Sequence, residues 1–334
     1  MLTSCTGADA EHSQSDKHRG VNLVWRHDVT KANMDTLAIH HVEWISLTPF
    51  GYQQQYDAPE IRLTNEGTWG ETDHGLAETA RLARETGIKT MLKPHVWLLD
   101  RRDGKLRSDI EFPSEKSWQL WFENYNAFML HYAQLAASHN TAILCIGTEL
   151  ANPAITHEAE WRELIAAIRE IYDGKLTYAA NWYEEFEHIA FWDDLDFIGI
   201  QGYFPLSDQP TPSVEDLILG WQPHKARIEA ISKKFEKPVV FTEQGYKSTK
   251  DTAMEPWNWP ETYDHKDIDF QTQANCYEAF FRTFWHEPWV AGVYWWRWGT
   301  DPEPFEGSWD RLFTPQSKPA AEVLRTWFGD EKPE

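Results

Sequence analysis

Basic residues and cysteine are scarce in this sequence. It has 31 Lys and Arg against 53 Asp and Glu, which gives a formal charge of −22. Nucleic acids and anionic lipid surfaces are bound by dense Lys and Arg footprints, so the acid excess argues against both as partners. The 3 cysteines, Cys5, Cys145 and Cys276, are widely spaced and form no CxxC pair. This spacing argues against a disulfide framework and the usual zinc motifs, and we expect Cys145 and Cys276 to be buried thiols.

Long apolar runs and nucleotide-binding motifs are also missing. No stretch of about 18 apolar residues occurs, so the sequence predicts no membrane-spanning helix. No GxGxxG follows the first apolar run and no GxxxxGK[ST] occurs, so a nucleotide cofactor has no support. The 14 histidines form neither HExxH nor HxH, and the adjacent His40 and His41 would point apart in a strand. We therefore predict a protein that works without a cofactor and without a catalytic metal.

Tryptophan, by contrast, is in excess. The chain has 19 Trp in 334 residues, and aromatic residues make up 14% of it. This is more flat amphipathic surface than a core of this size requires, because an indole ring combines a broad apolar face with one polar edge. The composition indicates a ligand with flat apolar faces.

The first 18 residues differ from the rest of the chain. Residues 1–18 are polar and lack hydrophobic periodicity, which predicts a disordered leader. The string Leu2-Thr3-Ser4-Cys5 resembles the end of a bacterial lipoprotein signal, in which the Cys becomes the lipidated first residue, although no basic and apolar stretch precedes it here. If Cys5 is such a residue, the protein belongs to the cell envelope or is secreted; if it is an incidental tail residue, the protein is cytoplasmic.

From residue 19 to residue 330, short apolar runs alternate with longer amphipathic segments. Ser114 can cap a helix with a strongly aromatic face, and a second helical segment, 72–86, ends at Gly87. Eight runs predict strands: 20–25, 42–48, 89–96, 142–148, 176–181, 197–203, 239–242 and 292–296. Eight βα units over this length predict an α/β fold, a single (β/α)8 TIM barrel that forms one catalytic domain over residues 19–330.

Two of the predicted strands are followed directly by a glutamate, Glu149 and Glu243. A carboxylate directly after a buried strand is unfavourable unless it is paired, hydrated or used. The reactive groups of barrels lie at the carboxyl ends of the strands, where two carboxylates can cleave a glycosidic bond: one protonates the leaving oxygen while the other attacks or activates water. The alternative for either Glu alone is a helix cap or a partner of an Arg.

The strings GTEL (147–150) and TEQGY (242–246), together with GVYWWRW (292–298), resemble glycoside hydrolase family 113, the β-mannanase-like members of a large retaining (β/α)8 clan. The resemblance covers about residues 19–328. It implies that Glu149 is the acid/base and Glu243 the nucleophile. Many clan members carry Asn before the acid/base to bind the sugar 2-hydroxyl, whereas Thr148 here fits the GTEL form; Asn152 is close enough in sequence to reach the site.

The last predicted strands supply further site candidates. The resemblance implies that Tyr203 lies beside the nucleophile as a hydrogen-bond donor; the alternative is a Tyr that only lines the barrel top. It also favours Trp296 as the platform under the sugar, with Trp298 second. Because side chains alternate along a strand, we expect Trp296 and Trp298 to share a face with Tyr294, while Trp295 points the other way. The alternative for both tryptophans is the barrel core.

The third and fifth predicted strands end in polar and aromatic residues as well. His95 and Asn181 are predicted to bind sugar hydroxyls, and Trp97 and Trp182 to be further platforms, although a strand-end His is also common as a structural residue. The acidic residues that follow, Glu184, Glu185 and Glu187, are predicted to form a solvated loop. The loop 255–270, with Trp257 and Trp259, is a candidate wall for one end of the site.

The two glutamates and the aromatic strand ends, together with the resemblance to family 113, imply a retaining glycoside hydrolase that cleaves β-1,4-mannosidic linkages in mannan or glucomannan from within the chain. Carboxyls ~5 Å apart repel by about 3 kcal/mol at an effective dielectric of ~20, enough for one of them to keep its proton near neutral pH. The alternatives are a retaining enzyme on another neutral β-glycan or on short oligosaccharides, and a glycan-binding protein that keeps the Trp platforms without turnover.

Overall fold

The computed structural model describes residues 17–25, 28–63, 68–259, 267–300 and 312–329. The strands in these ranges are β1 His18–Val24, β2 Trp44–Leu47, β3 Phe50–Gln53, β4 Ile61–Leu63, β5 Lys89–Leu92, β6 His95–Leu98, β7 Ile143–Thr148, β8 Lys175–Asn181, β9 Phe197–Gln201, β10 Val239–Gln244 and β11 Val290–Gly299. The helices are α1 Lys31–Ile39, α2 Asp73–Glu85, α3 Glu115–Ser138, α4 Ala151–Thr156, α5 Glu158–Arg169, α6 Glu185–His188, α7 Val214–Phe235, α8 Phe270–Phe284 and α9 Pro319–Phe328.

Eight of these strands close into a parallel barrel in the order β1-β11-β10-β9-β8-β7-β5-β2. Each of them overlaps one of the eight predicted strands, and the helices surround the barrel. The predicted (β/α)8 fold is therefore confirmed. Within the described residues, no helix combines the length and the apolar character needed to cross a membrane.

The two predicted helix boundaries, at Ser114 and at Gly87, are confirmed. Ser114 caps α3 by accepting the backbone N–H of Ser117 at 3.2 Å, and the predicted aromatic face of this helix is buried. Helix α2 is followed by Gly87, whose φ of +78° lies in the left-handed region that favours glycine. The chain then enters β5 directly.

The barrel has an apolar inner layer and a polar one. Trp44, Phe197 and Tyr294 belong to a buried cluster formed by the inward-facing residues near the amino ends of the strands. Toward the carboxyl ends the buried interior becomes polar: Asn22 Nδ2 donates to the main-chain carbonyls of Thr242 and Tyr294, at 3.1 Å each. This polar layer lies beneath the mouth of the barrel, where active sites of this fold are found.

One predicted strand is interrupted. The run 89–96 was expected to be continuous, but β5 ends at Leu92 and β6 begins at His95, because Pro94 has no N–H to donate to the ladder. Pro49 separates β2 from β3 in the same way. Beyond these two prolines, β3 and β6 pair in parallel, and β4 adds an antiparallel edge. This small sheet extends one side of the barrel mouth.

Lys17 and His18, which the sequence assigns to the predicted leader, belong to the folded domain. Lys17 is buried and its Nζ donates to the carbonyls of Glu287 and Val290, at 2.9 and 2.6 Å. His18 starts β1 and stacks on Trp44, with 4.2 Å between ring centroids. The rest of the leader, including Cys5, lies outside the described residues. Cys145 and Cys276 are buried free thiols, as predicted.

Candidate active site

A cavity of about 950 Å³ opens at the carboxyl ends of the barrel strands. It is lined by Glu149 and Glu243 and by nine aromatic residues, five of them tryptophans. The aromatic lining residues are Phe50, Trp97, Trp182, Tyr183, Tyr203, Trp257, Trp259, Trp296 and Phe313. A cavity of this size is at the upper end of the range of about 300–1,000 Å³ for ligand sites.

Both cavity glutamates follow an irregularity in their strands. On β7, the three steps from Cys145 to Thr148 match only two on β8, and on β10 the two steps from Phe241 to Glu243 match only one on β9. Each strand therefore carries one extra residue just before or at its glutamate. Such bulges redirect a side chain that simple alternation would point elsewhere. Glu149 itself has a φ of +53°, a left-handed conformation that is uncommon outside glycine.

Glu243 is held at both carboxylate oxygens. Its Oε2 accepts the hydroxyl of Tyr203 at 2.8 Å, and its Oε1 forms an ion pair with Nζ of Lys93. All three side chains are buried. Burial raises the pKa of Tyr203 well above its ordinary value, and the charges of Glu243 and Glu149 raise it further, so the phenol stays protonated and donates. Both oxygens of Glu243 are thus fixed in position by a hydrogen bond or an ion pair.

Glu149 lies in a more open environment. Its side chain is 21% exposed, against 7% for Glu243. Oε2 accepts two N–H groups of Arg107, at 2.6 and 3.1 Å, and the Nε2 of Gln201 lies 3.5 Å from Oε1. Burial lowers the pKa of Arg107, but the charges of Glu149 and Glu243 outweigh this and leave it raised. Both carboxylates therefore act on Arg107 and Tyr203, as members of one site.

Asn181 and Glu185 form a buried polar pair beside Glu149. Oε2 of Glu185 accepts both the backbone N–H and the Nδ2 of Asn181, at 2.7 Å each, and Oε1 accepts the hydroxyl of Tyr178. The prediction of a solvated acidic loop is therefore wrong for Glu185, whose exposure is 0%. Burial raises the pKa of Glu185 to about 7 and the charge of Glu149 adds to this rise, against the lowering by its three hydrogen-bond donors.

His95 and Trp97 reach the cavity from β6. His95 is buried, and its Nε2 lies 3.9 Å from Oε1 of Glu243. Burial lowers the pKa of His95 well below its ordinary value, and the cationic Lys93 and Arg107 lower it further, so the ring is neutral at neutral pH. Trp97 is 38% exposed at the rim, with the guanidinium of Arg101 4.3 Å from its ring centroid.

Further tryptophans line the cavity. The ring of Trp296 has Nζ of Lys93 5.7 Å from its centroid. Trp182 stacks on Trp257 with centroids 4.9 Å apart, and Trp259 packs on Phe313 at the same distance. The described part of the predicted loop, up to Trp259, thus contributes two aromatic side chains to the cavity. Residues 260–266 lie outside the described ranges.

Two predicted substrate contacts lie away from the cavity. The expectation that Trp298 shares a face with Trp296 is wrong, because the register of β11 against β1 shifts by one residue between them. Trp298 is buried in the core cluster outside the barrel, edge-on to His40 with centroids 4.9 Å apart. Asn152, in α4, donates its Nδ2 to the carbonyl of Ile110 at 2.8 Å and so holds the loop that follows the 3-10 helix Arg107–Asp109.

Lys93 and Arg107 were missed by the sequence reasoning. Lys93 had a local signal, since it is a charged residue directly after a buried strand. Arg107 lies in a loop after β6, in a 3-10 helix, Arg107–Asp109, and carries no local signal, because only the closed barrel brings it to Glu149. Among the described residues, no group of three or more His, Cys, Asp and Glu side chains is arranged to bind a metal ion.

Comparison with known proteins gives a consistent result. Residues 17–313 match the family model of glycoside hydrolase family 113. The fold is similar to that of the family 113 β-mannanase AaManA from Alicyclobacillus acidocaldarius, solved in complex with ManMIm, with a TM-score of 0.82 and 30% identity over 95% of this chain and 98% of that one. It is also similar to a family 113 β-1,4-mannanase solved as a complex, with a TM-score of 0.79 and 27% identity over 94% and 99% of the two chains.

More distant likeness extends to the fold alone. A β-glucuronidase from Ruminococcus gnavus has a TM-score of 0.61 and 17% identity, over 93% of this chain and 50% of that one. No curated protein sequence matches the chain. The family model spans both glutamate motifs and most of the described residues, which confirms the resemblance seen in the sequence. The chain belongs to glycoside hydrolase family 113 and is a glycoside hydrolase.

Proposed function

We propose that the protein is a retaining endo-β-1,4-mannanase in which Glu243 is the nucleophile and Glu149 the acid/base. The observation that carries this proposal is the difference between the two carboxylates in one aromatic cavity. Glu243 is buried and held at both oxygens by Lys93 and Tyr203, whereas Glu149 is three times as exposed, 21% against 7%.

The nucleophile has to be ionised and correctly oriented before the substrate arrives. The ammonium of Lys93 and the phenol of Tyr203 each contact one oxygen of Glu243 and so fix the plane of its carboxyl group. An oxygen of Glu243 then attacks the anomeric carbon of the sugar. As this bond forms, the bond from the anomeric carbon to the leaving oxygen breaks, and the leaving oxygen takes a proton from Glu149.

The acid/base has to change its protonation state twice per turnover, which suits the more exposed carboxyl. In the second step Glu149 removes a proton from water, the water oxygen bonds to the anomeric carbon, and Glu243 is released as a carboxylate. Arg107 donates two N–H groups to Oε2 of Glu149. Oε1, which meets Gln201 only at 3.5 Å, is the oxygen that we assign to the leaving group.

The remaining cavity residues are assigned to the sugar chain. We propose that Trp296 is the platform for the sugar that is attacked, because it lies beside Lys93 at the nucleophile. Trp97 and Trp182 are proposed as further platforms, since indole faces match the apolar C–H faces of pyranose rings. His95, as a neutral ring, and Asn181 can bind sugar hydroxyls. Trp298 and Asn152 are left out of this set.

Mannan is the proposed substrate because family 113 structures similar to this chain are described as β-mannanases. The test is reducing-sugar release from β-1,4-mannan, glucomannan, xylan and β-glucan by the wild type, Glu243→Gln and Glu187→Gln. Glu187 pairs with Arg227 away from the cavity, so Glu187→Gln is the control for removing one charge. We expect release from mannan and glucomannan by the wild type and by Glu187→Gln, and none by Glu243→Gln.

Two other outcomes would overturn parts of the proposal. Release only from xylan or β-glucan would contradict the mannan assignment, and binding of mannan without release by the wild type would favour a glycan-binding protein. The retaining and endo assignments have their own readouts. We expect proton NMR to detect the β-anomer of the product first, and the viscosity of a mannan solution to fall well before reducing ends accumulate.

A further inference from the structure

A buried hydrogen-bond network connects the candidate acid/base to the neighbouring strand β8. The backbone N–H of Leu150, the residue after Glu149, donates to the hydroxyl oxygen of Tyr178 at 2.8 Å. The hydroxyl of Tyr178 in turn donates to Oε1 of Glu185. The N–H of Glu149 donates to the carbonyl of Ala179 at 2.9 Å. The left-handed turn at Glu149 is therefore attached to β8 at two points.

The same carboxyl also sets the orientation of Asn181. Oε2 of Glu185 accepts Nδ2 and the backbone N–H of Asn181, at 2.7 Å each. Because Nδ2 is engaged in this way, Asn181 presents its carbonyl oxygen Oδ1, an acceptor, to the cavity that it lines. Above its raised pKa of about 7, Glu185 is a carboxylate, which can accept three N–H and O–H donors with its two oxygens and donate none.

We infer that Glu185 is a positioning residue, which fixes the turn of Glu149 through Tyr178 and makes Asn181 an acceptor for a sugar hydroxyl. This role rests on the proposed function of Glu149. Glu185 itself is fully buried and does not line the cavity among its described residues. Its effect on turnover is therefore transmitted through its two partners.

Replacement by glutamine breaks one arm of the network whichever way the amide turns. If the amide oxygen of Gln faces Asn181, its NH2 meets the hydroxyl of Tyr178, whose proton then lacks this acceptor. If the oxygen faces Tyr178, the NH2 meets the two donors of Asn181, and the Asn181 amide has to flip and present a donor to the cavity. Either way the sugar contact or the acid/base turn is disturbed.

The first experiment is a double-mutant cycle on mannan turnover with Glu185→Gln, Asn181→Ala and the double variant. Glu187→Gln, in the same short helix but paired with Arg227, is the matched control. We expect Glu185→Gln to lower kcat/KM by about tenfold or more, the effect of one lost hydrogen bond to a charged group. Glu187→Gln should match the wild type. A double variant that loses less than the product of the two single losses assigns the effect to the Asn181 arm, and one that loses the full product assigns it to the Tyr178 arm.

The second variant, Asn181→Asp, tests the contact without removing Glu185. It turns the donor Nδ2 into an oxygen that faces Oε2 of Glu185, so the two carboxylates repel unless they share a proton. We expect the activity of Asn181→Asp, relative to the wild type at each pH, to recover as the pH is lowered, whereas Asn181→Ala should not recover. This readout does not depend on whether Glu185→Gln folds.

Two results would overturn the inference while leaving the proposed function intact. One is a folded Glu185→Gln variant that matches the wild type in kcat/KM. The other is an Asn181→Asp variant that follows Asn181→Ala at every pH. A wild type that turns over no mannan, in the same assay, would contradict the proposed function itself.

Discussion

The ion pair between Lys93 and Glu243 allows a quantitative prediction. Both partners are buried, with side-chain exposures of 0% and 7%, and they lie in direct contact beneath the cavity. The three variants are Lys93→Met, Glu243→Gln and the double variant. Lys93→Met keeps an unbranched side chain but removes its charge. Each single change leaves one charge buried without its partner, whereas the double variant leaves none.

The magnitude follows from the contact. At a separation of about 3 Å and an effective dielectric of about 20, the attraction between two unit charges is about 5 kcal/mol. Removing one member of a buried pair destabilises a protein by about 3–5 kcal/mol, because the other charge loses its compensation. We expect each single variant to lower the free energy of unfolding by about 3 kcal/mol. The loss in the free energy of unfolding of the double variant should be smaller, by at least about 2 kcal/mol, than the sum of the losses of the two single variants.

Urea denaturation of the four proteins at one pH measures this coupling, provided that the m-value stays constant. The control is Lys93→Met combined with Glu187→Gln. Lys93 and Glu187 belong to different ion pairs, so the stability losses of these two changes should add within about 0.5 kcal/mol. Additive losses for Lys93→Met and Glu243→Gln would refute the reasoning that these two side chains form a stabilising buried pair.

Three further predictions concern the other members of the site. Glu149→Ala should nearly abolish mannan cleavage but spare the first step on aryl glycosides whose leaving group needs no proton; equal losses in burst kinetics on both substrates would contradict the acid/base role. Tyr203→Phe removes the 2.8 Å hydrogen bond to Glu243 and should lower kcat by roughly 10- to 100-fold, with little change in KM; a change in KM alone would argue against orientation of the nucleophile. Because the pKa of Glu185 is raised from 4.5 to about 7, the native state keeps a proton that the unfolded chain has released between these pH values. The free energy of unfolding should therefore fall by about 3 kcal/mol as the pH rises from 4.5 to 7, and Glu185→Gln should lose this slope in urea titrations; an unchanged slope would show that another group titrates.

The parts of the fold that the sequence predicted correctly rest on local signals. Apolar runs identified all eight barrel strands, and Ser114 and Gly87 mark helix ends through their own backbone chemistry. Glu149 and Glu243 could be identified because a carboxylate directly after an apolar strand can be recognised from the sequence alone. Their assignment to one site follows from the barrel itself, which brings strand ends together.

The errors have two physical causes. Trp298 was expected beside Trp296 because regular alternation was assumed, but a one-residue shift in register reverses which face a side chain occupies. Glu185 was expected in solvent because three Glu lie within four positions. Its burial depends on donors from Tyr178 and Asn181, and only the folded chain brings these donors together. Arg107 was missed for the same reason.

The central claim is that Glu243 bonds covalently to the sugar during turnover. Its most direct test is incubation with a 2-deoxy-2-fluoro-β-mannobiosyl fluoride, in which the fluorine at C2 slows both steps and the good leaving group lets the glycosyl-enzyme accumulate. Mass spectrometry of peptides from the labelled protein then locates the sugar. The account predicts one label, on Glu243, and none in Glu243→Gln; a label on Glu149 would contradict it.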